Sequence, residues 1–381
     1  MKYIDEFRNG TIAAGISKKI ASLVEGHDRI TIMEVCGSHT MSIYRYGLKN
    51  LLPPNLRLLS GPGCPVCVTS TSYIDTAIAM VQKTDSCLVS EKEVIITTFG
   101  DMMKVPGSSS SLEKERAKGA SVAVVYSTLD ALRLAEKHPD KQIVFLAIGF
   151  ETTAPTIAAS VIEAERRGLK NYFLLTAHKV MPPVMKALLK DKELNLDGFL
   201  CPAHVSAIIG SRSYEFIARD FHISCVIAGF EPLDILQGIY MLLEQIVRKD
   251  ASVRIQYSRV AREEGNPTAL FLLDRVFEPC DDEWRGLGLI PKSGLKLRNR
   301  YAWFDALTVF RISDFGFRIN SEIRNPKSAF NGCICGDILR GIKIPSECKL
   351  FKKVCNPEHP VGACMVSNEG TCAAWYKYGE T

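Results

Sequence analysis

The chain has 381 residues, 46% hydrophobic and 23% charged, which suits two to three domains with a sizeable core. A net charge of +5 with no dense basic stripe argues against nucleic-acid binding. No apolar run reaches the ~18 residues that cross a bilayer, and MKYIDEFRNG carries charges where a signal peptide is apolar, so the expectation is a cytoplasmic protein with neither nucleic acid nor membrane as partner.

From about residue 29 to 250, short apolar runs end in small polar turns and helical patterns follow. RITIMEV leads into CGSHT, LRLLS into GPGCPVC, EVIITTF into GDMMKVPGS, and SVAVVYS into TLDALRLAEKH. QIVFLAI then leads into GFETTAPT, NYFLLTA into HKVMPP, GFLC into PAHVS, and SCVIA into GFEPLD. Continuous apolar strands alternating with helices read as parallel sheet covered on both faces. So many units suggest two doubly wound α/β domains, with a single barrel as the alternative. A weak repeat, AIGFETTAPTIAAS and IAGFEPLDILQGI, favours two linked units. The Ser-rich KVPGSSSSLEKERAKG, 104–119, reads as a linker. The expected division is 29–118 and 119–252 as α/β domains, with 1–28 and 253–381 forming a helix- and loop-rich iron–sulfur domain.

Ligands of open α/β sheets bind beyond the carboxyl ends of strands, where helix N-termini and turn amides converge. Here those turns hold Cys36, Ser38, His39, Cys64, Cys67, Asp101, Glu151, Thr152, Thr153, His178, Cys201, His204 and Glu231. At a turn opening a helix, the Cys36 thiolate would be favoured by free amides, and His39 could ligate a metal or move a proton. Cys64 and Cys67, stiffened by Pro65, suit a redox dithiol, half a zinc site completed by Cys36 and His39, or a platform for another metal. Asp101, Glu151, Thr152, Thr153, His204 and Glu231 are substrate- or partner-site candidates. No phosphate-binding loop or dinucleotide fingerprint is present.

Thirteen cysteines in a cytosolic chain point away from structural disulfides. Six of them (Cys333, Cys335, Cys348, Cys355, Cys364 and Cys372) fall after residue 332, irregularly spaced and without paired zinc knuckles. Soft thiolates in that setting favour a 4Fe–4S cluster on four of the six over zinc.

Taken together, MEVCGSHT, GPGCPVCVT, TFGDMMKVPGS, GFETTAPT, CPAHVSAIIG, AGFEPLDIL and GACMVSNEGTCAAWY resemble the HypD family of NiFe-hydrogenase maturation factors over nearly the whole chain. The resemblance implies a redox-active scaffold that, with the small chaperone HypC, holds iron while CN and CO are installed to give Fe(CN)2CO. Cyanide would arrive from HypE, supplied by HypF upstream. It implies two α/β domains and a third carrying the cluster. It implies iron binding by Cys36, with Cys64 and Cys67 in metal or thiol redox work, so that Cys36, Cys64, Cys67 and His39 form the reactive set. It implies cluster ligation by Cys333, Cys348, Cys355 and Cys372, leaving Cys335 and Cys364 aside. An apolar groove beside CGSHT, rimmed by MSIYRYGL, would receive the chaperone. The alternatives are an iron–sulfur-linked thiol–disulfide reductase and a non-catalytic zinc protein.

Overall fold

A computed structural model describes residues 5–82, 92–310 and 332–379. The strands are β1 (Ile30–Glu34), β2 (Leu56–Ser60), β3 (Val94–Thr98), β4 (Val122–Val124), β5 (Gln142–Gly149), β6 (Tyr172–Lys179), β7 (Gly198–Pro202), β8 (Ser224–Ala228), β9 (Val253–Ile255), β10 (Phe277–Trp284) and β11 (Gly288–Leu297). They form two sheets, ordered β2-β1-β7-β8-β9 and β10-β11-β6-β5-β3-β4. Every pairing in the first sheet is parallel. The second is parallel except where the β10–β11 hairpin adds antiparallel to β6, with Gly294 opposite Lys179 and Leu295 opposite His178.

The apolar runs behave as their composition requires. All five residues of β1, β7 and β8 are buried, because helices cover both faces of a parallel sheet. On one face, the helix Gly10–Val24 packs with the helix Pro232–Arg248, burying Ile20, Ile32, Leu236 and Leu242. A larger core runs between the sheets and takes in Met33, Leu146, Phe199 and Trp284. Among the described residues, no helix is long and apolar enough to cross a membrane.

The α/β class and the two mainly parallel sheets match the sequence reading, but the strands are shared out differently from the expected domains. The first sheet takes residues 30–60 and returns for 198–255, while β3 to β6 lie between. A boundary at 118/119 therefore falls between β3 and β4, which pair as Ile96 with Val122. The supposed linker holds the helix Leu112–Ala117, with Val105 and Leu112 buried. The N-terminal helix belongs to the core of the first sheet, and β9 to β11 complete the two sheets instead of opening a loop-rich domain.

After residue 332 the chain is loop-rich, with short helices Cys335–Leu339 and Thr371–Tyr378. The latter packs on the helix Gly37–Arg45, where the Tyr44 and Trp375 rings meet at a tilt with centroids 5.5 Å apart.

Candidate functional site

The site forms where β1 and β2 end. β1 closes on Glu34, whose Oε2 accepts from the Cys36 amide at 3.0 Å and whose Oε1 accepts from the Thr40 hydroxyl. Burial pushes the Glu34 carboxyl up to about 8, against the pull of hydrogen bonds from Thr40, Ser60 and the Cys36 amide. The two sulfur-bearing turns are stitched together: Gly61 N donates to Glu34 O at 2.8 Å, and Gly37 N to Gly63 O at 2.9 Å. A Cβ on Gly63 would lie 2.2 Å from Cys36 N, and one on Gly37 would lie 2.5 Å from Glu369 Cβ. Glycine at these two places is what lets three segments meet.

Cys64 and Cys67 form a disulfide, with Cα atoms 5.3 Å apart. Cys64 caps the short helix Pro65–Val68, and its sulfur accepts from Cys67 N at 3.2 Å. Proline at the first helical position costs no hydrogen bond and fixes φ for the turn. Cys36 caps the helix Gly37–Arg45 but is buried. Burial first, and then the carboxylate of Glu369, push its thiol up to about 12. Cys36 is thus a protonated thiol at neutral pH until a metal or base takes the proton.

These turns open on a cleft of about 430 Å³ at the junction of the sheets. One wall is Cys36, Ser38, Gly63 and Pro65; the second sheet supplies Phe150, Thr152 and Thr153. β7 supplies Pro202, followed by His204, Val205 and Ile208, and the C-terminal segment supplies Glu369. Glu369 Oε1 accepts from Ser38 Oγ at 2.7 Å. The His204 ring lies 4.2 Å from that of Phe230, and burial lowers its pKa, so it is a neutral acceptor beside a thiol and a carboxylate. The cleft sits between β1 and β7, where successive connections leave the first sheet in opposite directions, the usual ligand position in such sheets.

Several expected site residues stand elsewhere. His39 does not line the cleft: its Nε2–H is shared by the carbonyls of Ala228 and Gly229, each at 3.0 Å. Burial lowers it to about 4, so it is a neutral strut between the helix Gly37–Arg45 and the end of β8. Glu151 lies behind the wall, where Oε1 accepts from Met181 N at 2.9 Å and burial raises the carboxyl to about 7. Glu231, its counterpart in the repeated Gly-Phe-Glu word, is spent on a surface pair with Arg8 at 2.6 Å. Asp101 accepts from Ser367 Oγ at 3.0 Å and so anchors the C-terminal segment. No residue of 41–48 lines the cleft, because Ser42, Ile43 and Leu48 are buried in packing. Sequence reasoning missed Glu34 and Glu369, although both stand inside quoted motifs, MEVCGSHT and GACMVSNEGTCAAWY.

The C-terminal cysteines lie against this site. The helix Pro65–Val68 packs on the turn Ala363–Met365, which carries Cys364. Cys64, Cys67, Cys335, Cys355, Cys364 and Cys372 share one buried cluster. The β10–β11 turn wedges between them: Arg285 N donates to Val68 O at 2.8 Å, its Nε to Thr69 O at 2.7 Å, and Nη2 to Pro106 O at 3.0 Å. Next to it, Gly286 abuts Gly336 so closely that a Cβ would meet Cα at 2.5 Å. Burial, and then Cys333, Cys335, Cys355 and Cys348, push the Cys372 thiol well up. Cys335 feels Cys333 and Cys364 most among its neighbours. Cys335 and Cys364 are therefore not set apart from the four expected ligands. Soft, mutually close thiols in buried loops match in kind the donors of an iron–sulfur cluster. Among the described residues, no three His, Cys, Asp or Glu side chains stand in metal-holding geometry.

Fold and site define a class: a two-sheet α/β protein with a dithiol and a single thiol on one cleft, backed by a cysteine-rich C-terminal unit. A family model, HypD, described as the hydrogenase formation hypA family, matches residues 11–379. Hydrogenase maturation factor HypD2 of Bradyrhizobium diazoefficiens is 45% identical over 387 residues, 100% of this chain and 97% of that protein. Hydrogenase maturation factor HypD of Azotobacter vinelandii is also 45% identical, with 100% and 97% covered. A putative hydrogenase expression/formation protein of Methanocaldococcus jannaschii is 44% identical over 360 residues, 94% of this chain and 95% of its own. The chain belongs to the HypD family of hydrogenase maturation factors.

Proposed function

We propose that the chain is a redox-active scaffold that, together with a HypC-type chaperone, holds iron while CN and CO ligands are installed to form Fe(CN)2CO. The observation that carries this reading is the joining of Cys36 to the Cys64–Cys67 turn in one cleft, through the Gly37–Gly63 hydrogen bond, with His204 and Glu369 lining the same space. Cys36 supplies the thiolate for the incoming iron, which is the substrate here. Its proton must leave as the iron binds, and His204, neutral, is the acceptor in the same cleft. Thiolate donation suits iron carrying strong-field cyanide and π-accepting CO. Cys64 and Cys67 exchange two electrons and two protons between disulfide and dithiol without leaving the wall of the cleft.

Cyanide reaches the cleft from a HypE-type donor, with HypF upstream. A 4Fe–4S cluster, held by four C-terminal cysteines with Cys333, Cys348, Cys355 and Cys372 as the set to test first, would supply one-electron chemistry when bound. Cys335 and Cys364 belong in the same mutagenesis panel, since they lie within the same group.

A second reading, an iron–sulfur-linked thiol–disulfide reductase, draws support from the packing of Pro65–Val68 on Ala363–Met365. Both readings need the dithiol, but only the scaffold needs iron at Cys36. Infrared bands of CN and CO on the purified complex with the chaperone separate them. Their presence in the wild type and loss in Cys36→Ala is the scaffold result; rapid reduction of generic disulfides with no uptake of non-cluster iron is the reductase result.

A further inference from the structure

Between Cys348 and Cys355 the chain reads KLFKKV, and Lys349, Lys352, Lys353 and Val354 are all exposed. The two cysteines that bracket them are only 9% and 6% exposed, so they lie just beneath this surface. Among the described residues, no carboxylate forms an ion pair with these three lysines. Lys352 sits at φ 58, a left-handed conformation that favours glycine, so this lysine stands there at a local conformational cost.

Val354 also forms one wall of a surface cleft of about 560 Å³. Its other wall carries Lys104 and Lys114, and the carboxylates present are Glu113 and Glu358, with His359 beside them. Val361, which lines the same cleft, donates its amide to Cys355 Sγ at 3.4 Å. The cleft lining itself holds two lysines against two carboxylates, and the three exposed lysines of KLFKKV stand beside the exposed Val354 in sequence, in the segment between the buried Cys348 and Cys355. A negatively charged partner is steered to such a face, and an apolar contact at its centre holds it.

We infer that this face docks a small acidic one-electron carrier protein that serves the cysteine-rich unit. The inference rests on the redox reading of that unit given above. The balance is simple: two reduced carriers give up one electron each, two protons are taken from water, and the Cys64–Cys67 S–S bond becomes two thiols.

The test uses the full-length chain, prepared anaerobically, and a purified acidic 2Fe–2S ferredoxin as probe. Stopped-flow association between about 20 and 200 mM salt is expected to slow at least tenfold. K349E/K352E/K353E is expected to slow it about tenfold at low salt, and K104E/K114E to act in the same direction. These side chains are exposed, and circular dichroism checks that the variants fold. An unchanged rate in the triple variant overturns the docking face, as does equally tight binding of labelled duplex DNA. Reduced ferredoxin is then offered and new thiols are counted. Thiols that appear in the wild type and diminish in the triple variant support the inference. Intact binding with no new thiols, by a chain that on its own shows no visible iron–sulfur absorbance, overturns the redox reading, and with it the carrier assignment.

Discussion

Ser38 Oγ donates to Glu369 Oε1 at 2.7 Å across 331 residues of sequence. That contact closes the C-terminal segment over the CGSHT turn and sets a carboxylate beside the Cys36 thiol, whose proton it helps to retain. Glu369→Gln keeps an acceptor for Ser38 and removes the charge. The Cys36 thiol should then ionise at lower pH, and its alkylation by iodoacetamide at pH 8 should quicken several-fold, about three to ten times, as thiolate population rises. An alkylation rate equal to that of the wild type across pH 7 to 10 would remove Glu369 from this role.

Gly63 bears the closest backbone approach in the site. Gly63→Ala must force the two turns apart, since its Cβ would sit 2.2 Å from Cys36 N, and a loss of at least about 2 kcal/mol is expected. Gly10→Ala is the control, because a Cβ there meets nothing within 4 Å. Melting temperatures should fall by several degrees for the first and stay near the wild type for the second.

His39 is buried neutral, with its pKa lowered from 6.5 to about 4. An unfolded chain takes up a proton on this ring below pH 6.5 while the folded one does not, so the folded state loses stability as pH falls from about 6.5 to about 4 and levels off below. Between pH 7 and 5 this one ring contributes about 2 kcal/mol of loss. His39→Gln should flatten the urea midpoint against pH by that amount. Parallel slopes in the two proteins would show that His39 is not the titrating group.

Arg285 is a buried cation that ties the disulfide turn to the chain beside Cys335. Arg285→Met leaves Thr69 O and Pro106 O without their donors, and a loss of about 3 kcal/mol is expected. Loosening of this wedge should also speed reduction of Cys64–Cys67 by dithiothreitol, read by thiol counting. Reduction at the wild-type rate in a folded variant would mean that the wedge does not guard the disulfide.

The strand ends were legible because most buried strands are short apolar runs, and the turn after each is polar. That located Cys36, Cys64, Thr152 and His204. Which strand joins which sheet was not legible: β7 sits beside β1 only through a long-range register, Met33 opposite Phe199, that no local pattern encodes. The β10–β11 hairpin was hidden for another reason. FEPCDDEW is buried only at its ends, Phe277 and Trp284, with acids at both half-exposed and exposed positions between them, and Pro279 and Pro291 mimic loop sequence. Glu151 and Glu231 look alike in the repeated word, yet burial behind a wall and pairing with Arg8 give them different fates. Glu369 could not be placed because its role depends on a contact with Ser38 made only after the chain has folded back.

The most direct test is infrared spectroscopy of the anaerobic complex with the HypC-type chaperone, wild type against Cys36→Ala. The scaffold account predicts CN and CO bands in the wild type and their loss in the variant, with the Cys64–Cys67 pair intact by thiol counting. Undiminished bands in Cys36→Ala would contradict it.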